Sequence, residues 1–449
     1  MKLMFFVFIS KLVTFVCKVF KKNGTVLPGN VVYDWFRQKK ILESVKYPKY
    51  VIAVTGSSGK GSTTDLIQHI LTDAGYDVCY NKSGSNGVLA AVTLILNNCN
   101  YKGEFKHDVL LLECDERHLK LIFGKNKMTH LILTNVTRDQ PARNGDPDVV
   151  FADIKKAIGK DTKLIINADD PLVHRLSFEF DNPIVTYGVG KTDDSFTKFN
   201  INAVDYAYCP LCHKKLEYSY YHYGHIGNYK CPNGDFERGK VDYEATDISF
   251  KNHSIKINKQ DIYLNKDVLY AVYYTVAAYA LCKDLGLSEE TISGAINGDK
   301  LSSKRGKVSK LGDRTLTMLE TKNENNLSYY QSIRFIKNQT GTKTIILGFD
   351  NVSRRYMFND LSWLWDVDFE LLNDKNIDKI FVIGRFRYDI MTRFEFTDIP
   401  KDKIVLIDDL STLIKRVKNE SSGDIYTMVC FDMTANIKAL IKEDENENN

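Results

Sequence analysis

From Val51 to Thr64 the chain reads Val-Ile-Ala-Val-Thr-Gly-Ser-Ser-Gly-Lys-Gly-Ser-Thr-Thr. An apolar run of strand type enters a glycine- and serine-rich turn, and a helical pattern (Leu66, Ile67, Ile70, Leu71) leaves it. Glycines let the backbone curl until its N–H groups converge on an anion. The positive end of the following helix adds to that attraction, and Lys60 adds a full charge. A hydroxyl just after the lysine, Ser62 or Thr63, can hold Mg²⁺. Gly56, Ser57, Ser58, Gly59, Lys60, Gly61, Ser62 and Thr63 are therefore read as a loop for nucleotide phosphates.

Other polar clusters stand where a nucleotide site needs them. Glu113 ends the apolar run Val109–Leu112, with Asp115 and Glu116 close behind; a carboxylate there can reach Mg²⁺ among the phosphates. Asn135 lies in Thr134-Asn-Val-Thr-Arg-Asp139-Gln140 and is expected to line the cleft. Asn167, before Asp169-Asp170-Pro171, fits nucleotide or substrate binding, or an Asx turn. Cys209-Pro-Leu-Cys212, followed by Cys231-Pro-Asn-Gly234-Asp235, has zinc-ribbon spacing with glycine at the fourth cysteine's place. Asp235, His213, His222 or His225 can complete a Zn²⁺ tetrahedron; the other reading is a ribbon without metal, held by its tyrosines. Finally, Asp360-Leu-Ser-Trp-Leu-Trp-Asp366 sets two of the three tryptophans among acids, as an interface anchor or a packed carboxylate would be.

The elements that position these residues point to a parallel sheet. Tyr76–Tyr80, Val109–Glu113, Leu131–Asn135 and Lys163–Asn167 are apolar runs ending in polar residues and separated by helical patterns, the design of a doubly covered α/β sheet that binds ligands at its strands' carboxyl ends. Composition shifts at 204–240 to tyrosine, histidine and cysteine, an inserted module. Thr344–Gly348, Lys379–Gly384, Lys403–Ile407 and Tyr426–Phe431 predict a second, smaller α/β domain after a hinge at 302–307. The expected division is an N-terminal helix and link (1–45), an ATP-binding domain (46–305), a C-terminal α/β domain (306–442) and a frayed acidic tail (443–449).

With 449 residues, 43% hydrophobic and 26% charged, the chain reads as a multi-domain globular protein. Its 61 basic and 57 acidic residues are interspersed, which does not point to nucleic acid. Nine cysteines read as reduced cytosolic thiols plus the metal cluster. The first twenty residues are apolar but broken by lysines, too short an uncharged run to span a bilayer. At about 100° per residue Lys11, Lys18 and Lys22 share a face, giving an amphipathic helix that packs on the protein or rests on an anionic membrane surface. A cytoplasmic protein is expected in either case.

The short loop form Gly56-Ser-Ser-Gly59-Lys60-Gly61-Ser62 resembles that of the Mur ligase and folylpolyglutamate synthetase superfamily. Taken with the stretches at 24–29, 81–87, 113–116, 134–140 and 167–171, the ribbon with Tyr223–Tyr229, Asp360–Glu370 and Gly384–Asp389 with Arg393, the chain is similar to the MurT family, the Mur-ligase-like subunits of lipid II isoglutaminyl synthases. The resemblance implies ATP-driven phosphorylation of the α-carboxyl of D-glutamate in the lipid II stem peptide, then attack by ammonia to give D-isoglutamine. It implies Lys60 and Glu113 as catalytic groups, and Arg305 at the family's Gly-Arg position as a nucleotide contact. It further implies a heterodimer with a GatD-type glutaminase to which this chain lends an acid, Asp360, with Asp366 the alternative, and work at the inner membrane face. The chain departs from the pattern at Ala271 and Tyr274, where the family has asparagines. A stand-alone amino-acid ligase and a non-catalytic glutaminase scaffold are the other readings.

Overall fold

The computed structural model describes residues 2–447 except 83–84, 125–126, 139–144, 199–207, 265, 299–306, 322–324 and 352–359. The hinge at 302–306, Arg305, Asp139 and Gln140 lie outside the described residues. Contacts divide the chain into two units, one of Met1–Thr137, Pro147–Thr197 and Tyr206–Leu301, the other centred on Ser302–Asn449.

The first unit carries β1 (Tyr50–Thr55), β2 (Val78–Tyr80), β3 (Val109–Glu113), β4 (His130–Leu133), β5 (Lys163–Asn167), β6 (Ile184–Val189), β7 (Glu217–Tyr223), β8 (Ile226–Lys230), β9 (Tyr243–Ser249), β10 (Ser254–Ile257) and β11 (Gln260–Tyr263). Nine of these form one sheet, in the order β11-β10-β9-β6-β5-β4-β1-β3-β2. From β2 to β9 the pairings are parallel, and β9, β10 and β11 close the edge antiparallel. Helices lie on both faces, so central strands must be apolar on both sides: Ile52, Ala53, Leu110, Leu111, Leu131, Ile132, Leu164 and Ile165 are wholly buried. Each such leucine or isoleucine contributes about 1.5–3 kcal/mol by leaving water. The strand order reverses around β1, flanked by β3 and β4, and this brings the ends of those three strands together.

The second unit holds β12 (Lys307–Leu311), β13 (Arg314–Glu320), β14 (Lys343–Gly348), β15 (Ile377–Ile383), β16 (Ile404–Leu406) and β17 (Asp424–Val429), ordered β12-β13-β17-β14-β15-β16. Only the β12–β13 pair is antiparallel. Ile345, Ile346, Phe381, Val382 and Ile425 form its core with Trp363 and Phe369. The sequence reading singles out β14 to β17 but not β12, β13, β6, β10 or β11. β10, for example, reads Ser-Ile-Lys-Ile, an alternation that carries less signal than an unbroken apolar run. The acidic tail is a correction: the last helix runs Phe431–Glu447, and Lys418 forms an ion pair with Asp444. That contact gives the final turns a partner, where the sequence alone suggests fraying. Among the described residues, no helix is long and apolar enough to cross a membrane.

Candidate functional site

The turn after β1 is shaped by two left-handed glycines, Gly56 (φ +129°) and Gly59 (φ +84°). Gly56 has no room for a side chain: a Cβ would come within 2.2 Å of Thr134 Oγ1. At Gly59 a Cβ would meet nothing within 4 Å, so the outer side of the loop is open and glycine is needed there for conformation alone. The turn is braced from β4's end. Ser57 N donates to the Asn135 carbonyl (2.8 Å) and Ser58 N to Asn135 Oδ1 (2.9 Å), while Asn135 Nδ2 donates to the Ser58 carbonyl (3.1 Å). Ser57 Oγ and the Thr137 backbone exchange two further bonds at 2.9 Å. Asn135 thus holds the loop's shape with both ends of its amide. Of the two candidate magnesium hydroxyls, Thr63 is fully buried and donates to the Gly59 carbonyl at 2.9 Å, leaving the half-buried Ser62 as the better donor.

Lys60 opens the Lys60–Asp73 helix. Its ammonium donates to the Gly56 carbonyl and, at 2.7 Å, to Glu116, both side chains being largely buried. Glu113 lies over the same first turn: a Cβ on Gly61 would sit 3.2 Å from Glu113 Oε2. The end of β3 is fixed by Asn81, whose amide donates to the Glu113 carbonyl and accepts from its N–H, both at 2.8 Å. Asn86 Nδ2 reaches Glu113 Oε1 at 3.4 Å. Burial raises the Glu113 carboxyl's pKa above its ordinary value, with Lys60 and the Asn86 bond opposing. A cation beside Glu113 would counter that desolvation, so the donor set suits Mg²⁺.

At the end of β5 the same residue types are used differently. Asn167 is wholly buried; its Nδ2 donates to the Thr134 carbonyl (2.9 Å) and its Oδ1 accepts from Asp169 N (3.1 Å). It ties β5 to β4 and lies wholly buried between them. Asp169, also wholly buried, accepts from Arg238 Nε (2.6 Å), Tyr273 OH (2.7 Å) and Val189 N (2.8 Å). Asp170 caps Pro171–His174 through Leu172 N and accepts from Val136 N at 2.8 Å. His225 Nε2 meets its other face at 3.1 Å.

The β7–β8 hairpin belongs to the inserted module and docks on these acids. Tyr229 OH donates to the Ala168 carbonyl (3.0 Å) and lies 2.8 Å from His174 Nδ1. His222 Nε2 lies 3.1 Å from the Val189 carbonyl. His222 and His225 are therefore committed to the dock and are no part of the thiol cluster. Cys209, Cys212, Cys231 and Asp235 bring their ligand atoms within 4.8 Å of one another. Leu211 N and Asn233 N each donate to a cysteine sulfur at 3.4 Å, Cys209 and Cys231 respectively. Backbone donors aimed at sulfur stabilise thiolates, so the three thiols and one carboxylate fit a tetrahedral Zn²⁺.

In the second unit, Asp360 is half-buried and its Oδ1 accepts from Ser362 N at 2.9 Å. Trp363 is buried against Tyr329 and Phe349, with ring centroids at 5.0 and 5.3 Å. Asp366 pairs with Arg138 at 3.0 Å, a neutralised acid and a poor candidate for orienting another group. Glu370 is held by Arg393 at 2.9 Å. The structure brings the loop, Glu113 and Asn135 together, and sets Asn167 under them. What the sequence reading lacks is the Lys60–Glu116 pair, the Asn81 clamp and the Arg238–Asp169 pair. Asn81 has a local signal in its polar loop; Arg238 has none.

A family model for the Mur ligase middle domain matches residues 54–233, and one for the MurT ligase C-terminal region matches 323–433. The lipid II isoglutaminyl synthase (glutamine-hydrolyzing) subunit MurT of Staphylococcus aureus is 27% identical over 405 residues, 88% of each chain. That of Streptococcus pneumoniae is 26% identical over 428 residues, 93% of this chain and 92% of the relative. Among solved structures, a pseudomurein peptide ligase type C from Methanothermus fervidus superposes with a TM-score of 0.66 at 18% identity, over 90% of this chain and 80% of the other. MurF ligase from Thermotoga maritima in complex with ADP gives 0.59 at 15% identity, over 94% and 85%. The fold is thus that of the Mur ligases. With relatives aligned along nearly its whole length and a MurT C-terminal match following the Mur ligase middle domain, the chain is a divergent member of the MurT family.

Proposed function

We propose that this chain is the ATP-dependent ligase subunit of a two-subunit amidotransferase that converts the D-glutamate α-carboxyl of the lipid II stem peptide to the amide of D-isoglutamine, in peptidoglycan synthesis. The observation that carries the reading is the braced glycine loop with Lys60 and Glu113 over one helix turn, in a chain that also has the MurT C-terminal region. The loop's amides and Lys60 take the ATP phosphates. An arriving phosphate competes with Glu116 and the Gly56 carbonyl for the Lys60 ammonium, so the charge is already in place. Glu113 and Ser62 are the residues that would hold Mg²⁺, which supplies charge neutralisation on the phosphates. A substrate carboxylate oxygen attacks the γ-phosphorus and ADP leaves; ammonia then attacks the acyl carbon and inorganic phosphate leaves.

The ammonia comes from a GatD-type glutaminase partner, whose imidazole Asp360 orients and charge-balances. Asp360 is preferred to Asp366, which already has Arg138 as counter-ion. Cys209, Cys212, Cys231 and Asp235 are the residues that would hold a structural Zn²⁺; metal analysis of the purified chain should detect it, and Cys212→Ser should lose it. The lipid-linked substrate puts the reaction at the inner face of the cell membrane. The test is to isolate the chain with its natural partner and supply lipid II, ATP and glutamine. Mass spectrometry should find the small loss of an acid-to-amide conversion. A co-purifying glutaminase with no such change would refute this substrate assignment.

A further inference from the structure

The Lys2–Val19 helix carries apolar residues on its outward face as well as its inward one. Its inward face is attached by polar as well as apolar groups: Ser10 Oγ donates to Asn97 Oδ1 (2.9 Å), Asn97 Nδ2 to Thr14 Oγ1 (2.8 Å) and Lys11 Nζ to the Cys99 carbonyl (2.7 Å). Phe6, Val7 and Cys17 are buried there, and Leu3 and Ile9 pack half-buried against the same core. The outward stripe Phe5, Phe8, Leu12, Phe15, Val19 is apolar throughout, at alternating steps of three and four, and every member is exposed, Phe15 by 64% and Val19 by 61%. At about 1.5 Å per residue the stripe is roughly 21 Å long. Phe20 and Trp35, each 70% exposed, extend the apolar surface beyond the helix, and Phe36 packs edge-on to Phe5 at 6.3 Å.

Charge decides what covers such a face. No aspartate or glutamate precedes Asp34, while Lys2, Lys11, Lys18, Lys21 and Lys22 fall in the same stretch. Four of these lysines are exposed, and Lys11 alone is turned in to the protein. A second copy of the chain would set like charges against like. An anionic bilayer would complement them while accepting the aromatic stripe, the in-plane mode of an interfacial helix. We propose that the outward face of Lys2–Val19, with Phe20 and Trp35, docks the chain on the headgroup layer of an anionic membrane. Tryptophan and phenylalanine enter the interface, and the lysines stay at phosphate level. This surface stands apart from the nucleotide site, and its test requires no turnover.

The experiment is co-sedimentation of the full chain with vesicles of phosphatidylcholine alone or mixed with phosphatidylglycerol. The chain should bind only the mixed vesicles, and salt should release it. Each substitution among Lys18→Gln, Lys21→Gln and Lys22→Gln should weaken binding about fivefold. The double variant Phe8→Ser/Phe15→Ser, whose side chains are exposed, should keep the native melting temperature and lose binding; if it fails to fold, the lysine series decides alone. Absence of binding to mixed vesicles, or binding that neither set alters, would overturn the proposal. A wild-type dimer that the serine pair converts to monomer, with no vesicle binding, would assign the face to a second copy instead.

Discussion

Glu113 and Asp169 stand at the carboxyl edge of one sheet, at β3 and just after β5, with β1 and β4 between them. Both are carboxylates withdrawn from bulk water near a cation, Asp169 wholly and Glu113 in part, yet they are satisfied differently. Asp169 has a guanidinium, a phenol and a backbone N–H, all within 2.8 Å. Among the described residues the Glu113 carboxylate has one long bond, from Asn86 at 3.4 Å, and its nearby lysine pairs with Glu116. The first arrangement closes a structure; the second leaves a carboxylate in want of a cation. The difference lies in what each acid still lacks, and that separates a fold-holding acid from a ligand-binding one.

The largest effect that sharpens this contrast is expected from Asp169→Ala. It removes the wholly buried of Arg238's two carboxylate partners, Glu244 at 2.8 Å being the other, and leaves Tyr273 OH and Val189 N without their acceptor; the loss costs about 3–5 kcal/mol, read as a fall in melting temperature with the ribbon detached. An unchanged melting temperature would break the comparison at its structural end. Lys60→Ala should do the reverse: ATP-dependent turnover falls about 10²–10³-fold, the loss typical of one preorganised charge-stabilising donor, while the partner is still bound. Amidation at the normal rate would refute the phosphate-loop reading.

These two acids also show how much of the site the sequence makes legible. The loop is readable because its backbone conformation requires glycine and its ligand requires a cation, both local demands. Glu113 is readable because an unbroken apolar run ends on it. The structural task of Asp169 is not readable, because its counter-ion Arg238 lies 69 positions away and nothing local announces the pairing. Asn167 looks like a ligand-binding strand-end amide for the same reason; only the structure shows that one of its N–H groups is given to the Thr134 carbonyl across the sheet. The three cysteines are legible from spacing, whereas the exclusion of His222 and His225 depends on their docking to Val189 and Asp170. In the N-terminal helix the lysine spacing is visible, but Lys11 turns inward because the Cys99 carbonyl accepts it. Alternating strands such as β10 escape notice because one polar residue in two erases the buried-run signal that marks β1, β3 and β5.

A pH series probes the structural end more gently. Burial holds His174 down to about 4, beside Tyr229 in the ribbon dock. A depressed histidine pKa means that the unfolded chain binds more protons between that value and the ordinary one, so stability rises with pH across the window. Acidification from about pH 6.5 to 4 should therefore loosen the dock by about 2–3 kcal/mol. Hydrogen exchange at β7 and β8 should accelerate over that range before β1 and β3 do. Simultaneous opening of both would show that the hairpin is no separate latch.

The smallest effect is the one with an unexpected sign. Burial raises the Glu113 pKa, so the native state binds the extra proton and stability falls as pH rises through the folded value. Near neutral pH, without nucleotide, the charged carboxylate thus opposes folding. Glu113→Gln keeps the shape and removes the charge, so the nucleotide-free chain should melt a little higher, by about 2–4 °C for each 1 kcal/mol recovered. The same variant should need more Mg²⁺ to reach half-maximal turnover, because a donor suited to the cation has been neutralised. A rise in melting temperature with a weakened Mg²⁺ response is the signature of an acid retained for a ligand at the fold's expense. A fall in melting temperature comparable to that of Asp169→Ala would instead place Glu113 among the acids that hold the fold, and the contrast between the two strand ends would fail.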